Sequence, residues 1–359
     1  QLVEIQMMEA EDYPSMQCTE LYTPKYEHAF SMRYGLFIHW VGPCEGKSLG
    51  ICKPDGSPNY VDINCYAETF EIVKIADDIQ ALGFEYVIIT DFHGKGSMLH
   101  PSTTSDEYRG PGYATNSVDV IGDFIDALAE RGIGTIIFTH PLDGHDYPDR
   151  DKLGWNDPTD NYKKWNDFVN DIHSEIAMKY GSKIMGFGFD SECGLSNNPE
   201  WKGKLDLLRL RQTLLCCNIH LQLYALAGPN NMAEFGFKEV YRPDWLDPWR
   251  SLSETDYDVE NWPAYKRVSG IITANHWATI TGIEGGKARL DAISLYRYSV
   301  LLAASATEGP GVAWAASPYS TGEWEANVRE VFAKVEEWSS GVRMSLRNVY
   351  PSTSYPTPE

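Results

Sequence analysis

The sequence contains 359 residues, of which 43% are hydrophobic and 23% are charged, and this composition is typical of a folded globular protein. Its 51 acidic and 30 basic residues give a net charge of −21, which disfavours nucleic acid and anionic lipid as partners. The apolar runs are much shorter than the roughly 20 residues that span a bilayer, so we expect no membrane span. The chain begins at Gln1 without a methionine, and we therefore expect a removed signal peptide and a secreted or periplasmic location.

Three successive segments repeat one pattern, in which an amphipathic helix ends at a glycine and a short strand follows. The glycines are Gly83, Gly132 and Gly181, and the strands after them are predicted at residues 86–90, 135–140 and 184–190. Four more segments have the composition of buried strands, namely residues 35–40, 221–226, 271–275 and 311–316.

Seven strands separated by helices or long loops predict an α/β fold of the (β/α)8 barrel type, with one strand unrecognised. No glycine-rich phosphate loop follows a strand, which disfavours a nucleotide-binding fold. We expect one barrel domain over residues 27–350, with an N-terminal extension over residues 1–26 and an irregular tail over residues 351–359.

Polar and aromatic residues lie at the carboxyl ends of five of the predicted strands or directly after them. They are His39, Trp40, Asp91, His93, His140, Asp190, Glu192, His276 and Trp277. In a barrel of this type the functional groups lie at the carboxyl ends of the strands, so these residues are expected on one rim. Hydroxyl groups of a sugar need polar partners and its apolar face needs an aromatic platform, so the set predicts a carbohydrate site.

Asp190 is the strongest candidate for a catalytic carboxylate. Hydrolysis of a glycosidic bond generally uses two carboxylates, and an aspartate that closes a buried strand is held rigidly. It follows the run GFGF, residues 186–189, whose glycines allow the close approach of backbone or substrate. A solvated aspartate or a helix cap is the alternative interpretation.

Over nearly its whole length, the sequence resembles glycoside hydrolase family 29, the retaining α-L-fucosidases. RYGLFIHW, ending at Trp40, is similar to the family's opening strand (R)FGxFIHWG, and GFEYVIITDFH, ending at His93, is similar to GAKYVVLTAKHHDGF. DVIGDFIDALAERG, ending at Gly132, resembles DIVGELVDALRKRGL, and residues 184–190 resemble the strand IDLLWFD. GPGVAWAA, residues 309–316, and the helix that follows resemble the end of that catalytic domain.

The resemblance implies a retaining glycosidase in which Asp190 is the nucleophile. It also implies that His39, with Trp40 beside it, contacts the sugar, that His93 is the first histidine of the paired motif, and that Trp277 lies near the site. The general acid is not fixed by a motif and is expected in a loop after the fifth strand. Glu239 is the first choice, Glu260 the second and Glu192 the third.

The sequence departs from the family pattern beside His93. The second histidine of that motif is Gly94 here, and the following Asp-Gly-Phe is replaced by Lys95, Gly96 and Ser97. A lysine at this rim would suit a carboxylated or sulfated sugar, whereas a lysine pointing into solvent is the alternative.

Two other functions therefore remain open: a hydrolase or lyase for an acidic sugar with His93, His140 or tyrosine and lysine groups in acid–base roles, and a carbohydrate-binding protein without catalysis. The expected partner is an oligosaccharide or polysaccharide. The acidic stretch at residues 143–160 lacks the spacing of an EF-hand loop, and we expect neither a metal nor an organic cofactor.

Overall fold

The computed structural model describes residues 34–40, 63–190, 203–218, 221–226, 235–240, 267–273, 312–324 and 328–349. Eight strands run through these residues. They are β1 (Tyr34–Ile38), β2 (Tyr86–Thr90), β3 (Gly134–Thr139), β4 (Gly186–Phe189), β5 (Gln222–Leu226), β6 (Phe235–Val240), β7 (Arg267–Thr273) and β8 (Val312–Ala315).

All eight strands pair in parallel with the next strand along the chain, and β8 pairs with β1. The sheet is therefore a closed barrel in the order β1 to β8. This confirms the predicted α/β barrel, and the carboxyl ends of all eight strands meet on one rim.

Seven α-helices accompany these strands in the described part of the chain. They are α1 (Ile63–Ala67), α2 (Ile72–Ala81), α3 (Thr103–Arg109), α4 (Val120–Glu130), α5 (Lys163–Tyr180), α6 (Leu207–Cys217) and α7 (Val328–Val349). The predicted glycine stops are confirmed at Gly83 and Gly132, which have φ values of 74° and 72°, and at Gly181, which is the C-cap of α5. Within the described residues, no helix has the length and apolarity that a bilayer crossing requires.

The alternation of side chains along each strand divides the core into two layers. Phe37 of β1 packs against Phe138 of β3 with ring centroids 5.0 Å apart, and because these strands are not neighbours, the contact lies inside the barrel. Gly35, two residues earlier, leaves room for the ring of Tyr86, which a Cβ at this position would overlap. Residues of the other parity, such as Leu36 and Ile38, face the helices in the larger core cluster.

The strand that the sequence analysis did not recognise is β6, FGFKEV. Its two aromatic residues alternate with glycine and lysine, and this short pattern contains only one β-branched residue, at its last position. Its position corrects one expectation, because Glu239 lies on this strand and not in a loop after the fifth strand. The predicted strand at residues 271–275 begins earlier, at Arg267. The proposed extension over residues 1–26 and the tail over residues 351–359 lie outside the described residues.

Candidate active site

Strand parity selects which of the strand-end residues face the interior of the barrel. His39 lies two residues after Phe37, and its ring contacts the Phe37 ring at 5.8 Å. His140 lies two residues after Phe138, and Asp190 follows β4 on the same face as Gly186. The backbone N–H of Asp190 donates to the carbonyl of Thr139. This hydrogen bond extends the β3–β4 ladder and holds the backbone from which the Asp190 side chain projects.

The carboxylate of Asp190 lies among imidazole rings. Its Oδ2 is 3.5 Å from Nε2 of His93 and 3.7 Å from Nε2 of His140. The rings of His39 and His93 meet edge to face at 4.6 Å, and those of His93 and His140 at 5.3 Å. The Asp190 side chain remains 20% exposed, more than its two partners. The structure therefore brings four of the predicted residues together around one accessible carboxylate.

His39 is an uncharged member of this cluster. Burial and the adjacent ring of His93 hold the pKa of His39 well below its usual range, although Asp190 acts in the opposite direction. Its backbone N–H donates to Oγ of Ser317 at 2.8 Å, so β1 and the residues after β8 are joined at this point. A neutral imidazole both donates and accepts hydrogen bonds, which suits a hydroxyl group.

The orientation of His93 is fixed by its own loop. The backbone N–H of Gly94 donates to Nδ1 of His93 at 2.8 Å, so Nδ1 is an acceptor and the ring proton lies on Nε2. This places an N–H group opposite Oδ2 of Asp190. Within the described residues, Nε2 of His93 is buried and has no hydrogen bond of good geometry, and the carboxylate of Asp190 is the group that it faces.

Trp40 does not belong to this cluster, and its expected role in sugar binding needs correction. Its parity is opposite to that of His39, so it faces the helices, where it packs against Phe70 and Phe124 at 4.7 and 5.1 Å. Its indole N–H donates to the carbonyl of Pro318 at 3.0 Å, and only 1% of the residue is exposed. Trp40 therefore stabilises the packing behind the site.

Asp91 requires the same correction. Its parity places it outside the barrel wall, where Oδ2 lies 3.0 Å from Nδ1 of His100 and neither side chain is exposed. The ring of His100 in turn contacts the ring of Tyr180 on α5. This buried pair links the end of β2 to the surrounding helices and does not reach the rim of the barrel.

Lys95 lies in the turn after His93, and its side chain is exposed. Its backbone is held from two directions, since its N–H donates to Oδ2 of Asp143 and its carbonyl accepts from Arg109. The expectation that the ammonium group binds an anionic sugar remains a prediction.

Of the remaining predicted residues, the structure describes only the backbone position of Glu239. Glu239 is the penultimate residue of β6, two strands around the barrel from β4, with its backbone in register with Ile271 of β7. Glu192, Glu260, His276 and Trp277 lie outside the described residues.

One group of side chains in the described residues could bring three ligand atoms close to a cation. Asp143, His145 and Asp146 offer one atom each within 4.8 Å of one another. Asp143 already accepts the N–H of Lys95, and Asp146 is largely exposed. Exposed acidic groups of this kind are common, and we assign no metal to them.

Ser317 and Arg109 were not predicted from the sequence. Ser317 follows the eighth strand, so its place at the rim could have been inferred from the barrel order. Arg109 lies at the end of α3, and its contacts with the loop after β2 have no local signal in the sequence.

Comparison with solved structures identifies the same fold in several α-L-fucosidases. α-L-Fucosidase isoenzyme 1 from Paenibacillus thiaminolyticus is 18% identical, with a TM-score of 0.61 over 93% of this chain and 78% of that one. An α-L-fucosidase from Bacteroides thetaiotaomicron is 17% identical, with a TM-score of 0.60 over 88% and 73%. Unliganded α-L-fucosidase from Lactobacillus casei is 15% identical, with a TM-score of 0.60 over 89% and 98%. No family model and no curated protein matches the sequence.

Proposed function

We propose that this chain is a retaining glycosidase of the α-L-fucosidase type, with Asp190 as its nucleophile. The observation that supports this most directly is the accessible carboxylate of Asp190 on the carboxyl rim of the barrel, facing His93 and His140. The shared fold with solved α-L-fucosidases agrees with it, and the Bacteroides thetaiotaomicron enzyme has been crystallised as a trapped covalent intermediate.

In this mechanism Asp190 attacks the anomeric carbon and forms a glycosyl ester while the leaving oxygen receives a proton from a second carboxylic acid. The same acid, now a carboxylate, then activates a water molecule that cleaves the ester. The Nε2–H of His93 faces the attacking carboxylate, so it can orient Asp190 before attack.

The neutral state of His39 favours an uncharged sugar over an acidic one. A carboxylated or sulfated sugar is bound best by a charged donor, whereas the lowered pKa of His39 keeps that ring uncharged at neutral pH. Hydroxyl groups need partners that donate and accept, and neutral imidazoles do both.

The acid/base residue is proposed to be Glu239, with Glu260 and Glu192 as the other candidates. Glu239 has support from its position near the carboxyl end of β6, since catalytic groups of such barrels come from the ends of several strands. In a retaining enzyme the two carboxyl groups are about 5 to 5.5 Å apart. Replacing each glutamate by glutamine identifies the acid: the correct variant loses turnover of an unactivated fucoside far more than turnover of an aryl fucoside.

The function is tested with an aryl α-L-fucoside, using the wild type, Asp190→Asn and the control Asp126→Asn. Asp126 is an exposed carboxylate on α4 that pairs with Lys183. We expect Asp190→Asn to lower kcat by about a thousandfold or more, because the nucleophile is removed, and the control to remain within about twofold. Wild-type turnover by Asp190→Asn would contradict the proposal.

The same screen separates the other two activities. Ultraviolet absorbance of an unsaturated product from a uronate oligosaccharide would identify a lyase, and binding of sugars without turnover would identify a non-catalytic protein. Either result from the wild type would replace the proposed function.

A further inference from the structure

We propose that Arg109 is a positioning residue, which holds the loop after β2 in the conformation that presents His93 to Asp190. The inference rests on the proposed function for its catalytic meaning, because both residues belong to the same site. We call residues 91–98 the β2 loop.

The β2 loop has a backbone that needs support from outside itself. Phe92, Gly94, Lys95 and Gly96 all have positive φ, at 47°, 50°, 58° and 68°. Phe92 and Lys95 carry a Cβ, and residues with a Cβ rarely adopt this left-handed region. A sequence of such residues beside a functional group persists only where the surrounding contacts determine it.

Arg109 supplies these contacts through a side chain with no solvent exposure. Its Nη1 donates to the carbonyls of Lys95 and Gly96 at 2.8 and 3.1 Å. Its Nε and Nη2 donate to the two oxygens of Asp149 at 2.9 and 2.8 Å, so the guanidinium is neutralised by a bidentate pair.

The guanidinium plane is also fixed by aromatic rings. It lies 3.4 Å from the ring centroid of Tyr113 and 4.5 Å from that of Tyr147. A Cβ at Gly96 would overlap both the Tyr147 hydroxyl and the Arg109 side chain. The β2 loop, the guanidinium and these rings therefore fit only when position 96 is a glycine.

The link from Arg109 to His93 runs through successive peptide groups of the β2 loop. Arg109 holds the carbonyls of Lys95 and Gly96, and Asp143 accepts the N–H of Lys95. The peptide that carries the Gly96 carbonyl also carries the N–H of Ser97, which donates to the carbonyl of His93. This carbonyl shares its peptide plane with the N–H of Gly94, which donates to Nδ1 of His93. If the β2 loop moves, this donor is lost, and Nε2 of His93 is no longer the required site of the ring proton.

Lysine is the informative replacement at position 109. It keeps the positive charge beside Asp149, but its single ammonium nitrogen cannot reproduce the planar fork that reaches both Asp149 and the two loop carbonyls. Arg131→Lys is the matched control, since Arg131 makes a comparable pair with Asp77 on the outer surface and donates to the carbonyl of Ala127.

The experiment combines two readouts on the full chain. Long-range nitrogen–hydrogen NMR correlations report which ring nitrogen of His93 carries the proton, and the resonances are assigned with His93→Gln. We expect the Nε2–H form alone in the wild type and in Arg131→Lys, and a mixture of tautomers in Arg109→Lys. With an aryl α-L-fucoside we expect Arg109→Lys to lower kcat about 10- to 100-fold with a smaller change in KM.

A wild-type tautomer signal in folded Arg109→Lys would overturn the inference, whatever the kcat of that variant. If Arg109→Lys does not fold, Asp149→Asn replaces it, because loss of the charged bidentate partner loosens the guanidinium and so weakens its two contacts with the β2 loop, and the same mixture of tautomers is expected. The NMR readout needs no substrate. Absence of any glycosidase activity in the wild type would thus contradict the proposed function, whereas an unchanged tautomer in the variant would contradict the role of Arg109.

Discussion

Oδ2 of Asp190 lies 3.5 Å from Nε2 of His93, and the two residues follow strands that are two places apart in the barrel. Asp190 follows β4 directly, whereas His93 reaches it from the β2 loop. This contact defines the centre of the proposed site. It depends on both the parity of β4 and the unusual backbone of the β2 loop.

The structure separates residues that contact this centre from neighbours that stabilise it, and Trp40→Phe tests the distinction. Loss of the indole N–H leaves the carbonyl of Pro318 without its donor, so we expect the free energy of unfolding to fall by about 1 to 3 kcal/mol. KM for an aryl α-L-fucoside should stay unchanged, because the ring faces the helices. Urea denaturation and steady-state kinetics measure both quantities, and a large rise in KM in a stable variant would show that Trp40 binds substrate after all.

The buried pair of Asp91 and His100 predicts a large effect on stability. His100→Leu leaves the carboxylate of Asp91 buried without its partner, and we expect it to lower the free energy of unfolding by about 3 to 5 kcal/mol. The double variant Asp91→Leu/His100→Leu should recover much of this loss, since no unpaired charge remains. Additive losses in a double-mutant cycle, measured by urea denaturation, would show that the two groups do not interact.

His173 predicts a specific dependence of stability on pH. Burial lowers the pKa of His173 to about 4, while Nδ1 donates to the carbonyl of Val169 and Nε2 lies 3.0 Å from Oγ1 of Thr139. The unfolded chain binds a proton at this residue near pH 6.5, but the native protein does not, so stability falls as the pH decreases from about 6.5 to about 4.

The variant His173→Gln isolates this contribution. Between those pH values the free energy of unfolding of the wild type should fall more steeply than that of the variant, by roughly 1.4 kcal/mol per pH unit. Other histidines cancel in the difference between the two proteins. Parallel pH profiles from denaturation curves would mean that His173 is protonated in the native state.

Gly186 predicts the effect of a single methyl group inside the barrel wall. A Cβ at this position would overlap the backbone carbonyl of Gln222, which cannot rotate away because it belongs to β5. We expect Gly186→Ala to lower the free energy of unfolding by about 1 to 3 kcal/mol through overpacking. Thermal unfolding measures this, and an unchanged midpoint would indicate that β4 and β5 can separate without cost.

Much of the barrel could be predicted from the sequence, because seven strands are recognisable as β-branched or apolar runs between amphipathic helices. In the missing strand, β6, the aromatic residues alternate with Gly236 and Lys238 and a glutamate follows, a pattern that is also compatible with a loop. Its true position moved Glu239 from a loop to a strand.

The site could be predicted only in part, because the sequence shows which residues end a strand but not which face they occupy. His39 and Trp40 are adjacent in sequence, yet parity places one inside the barrel and the other among the helices. Applying strand parity to the predicted registers would have separated them. The contacts between Arg109 and the β2 loop could not be predicted in this way, because they join its side chain to backbone carbonyls 13 and 14 residues earlier.

The most direct test of the whole account is to identify the residue that becomes covalently linked to the sugar. The protein is treated with 2-fluoro-fucosyl fluoride, digested and sequenced by mass spectrometry. We predict one fucosyl adduct, located on Asp190 and absent from Asp190→Asn. An adduct on another carboxylate, in a protein that turns over fucosides, would contradict the assignment of Asp190 as the nucleophile.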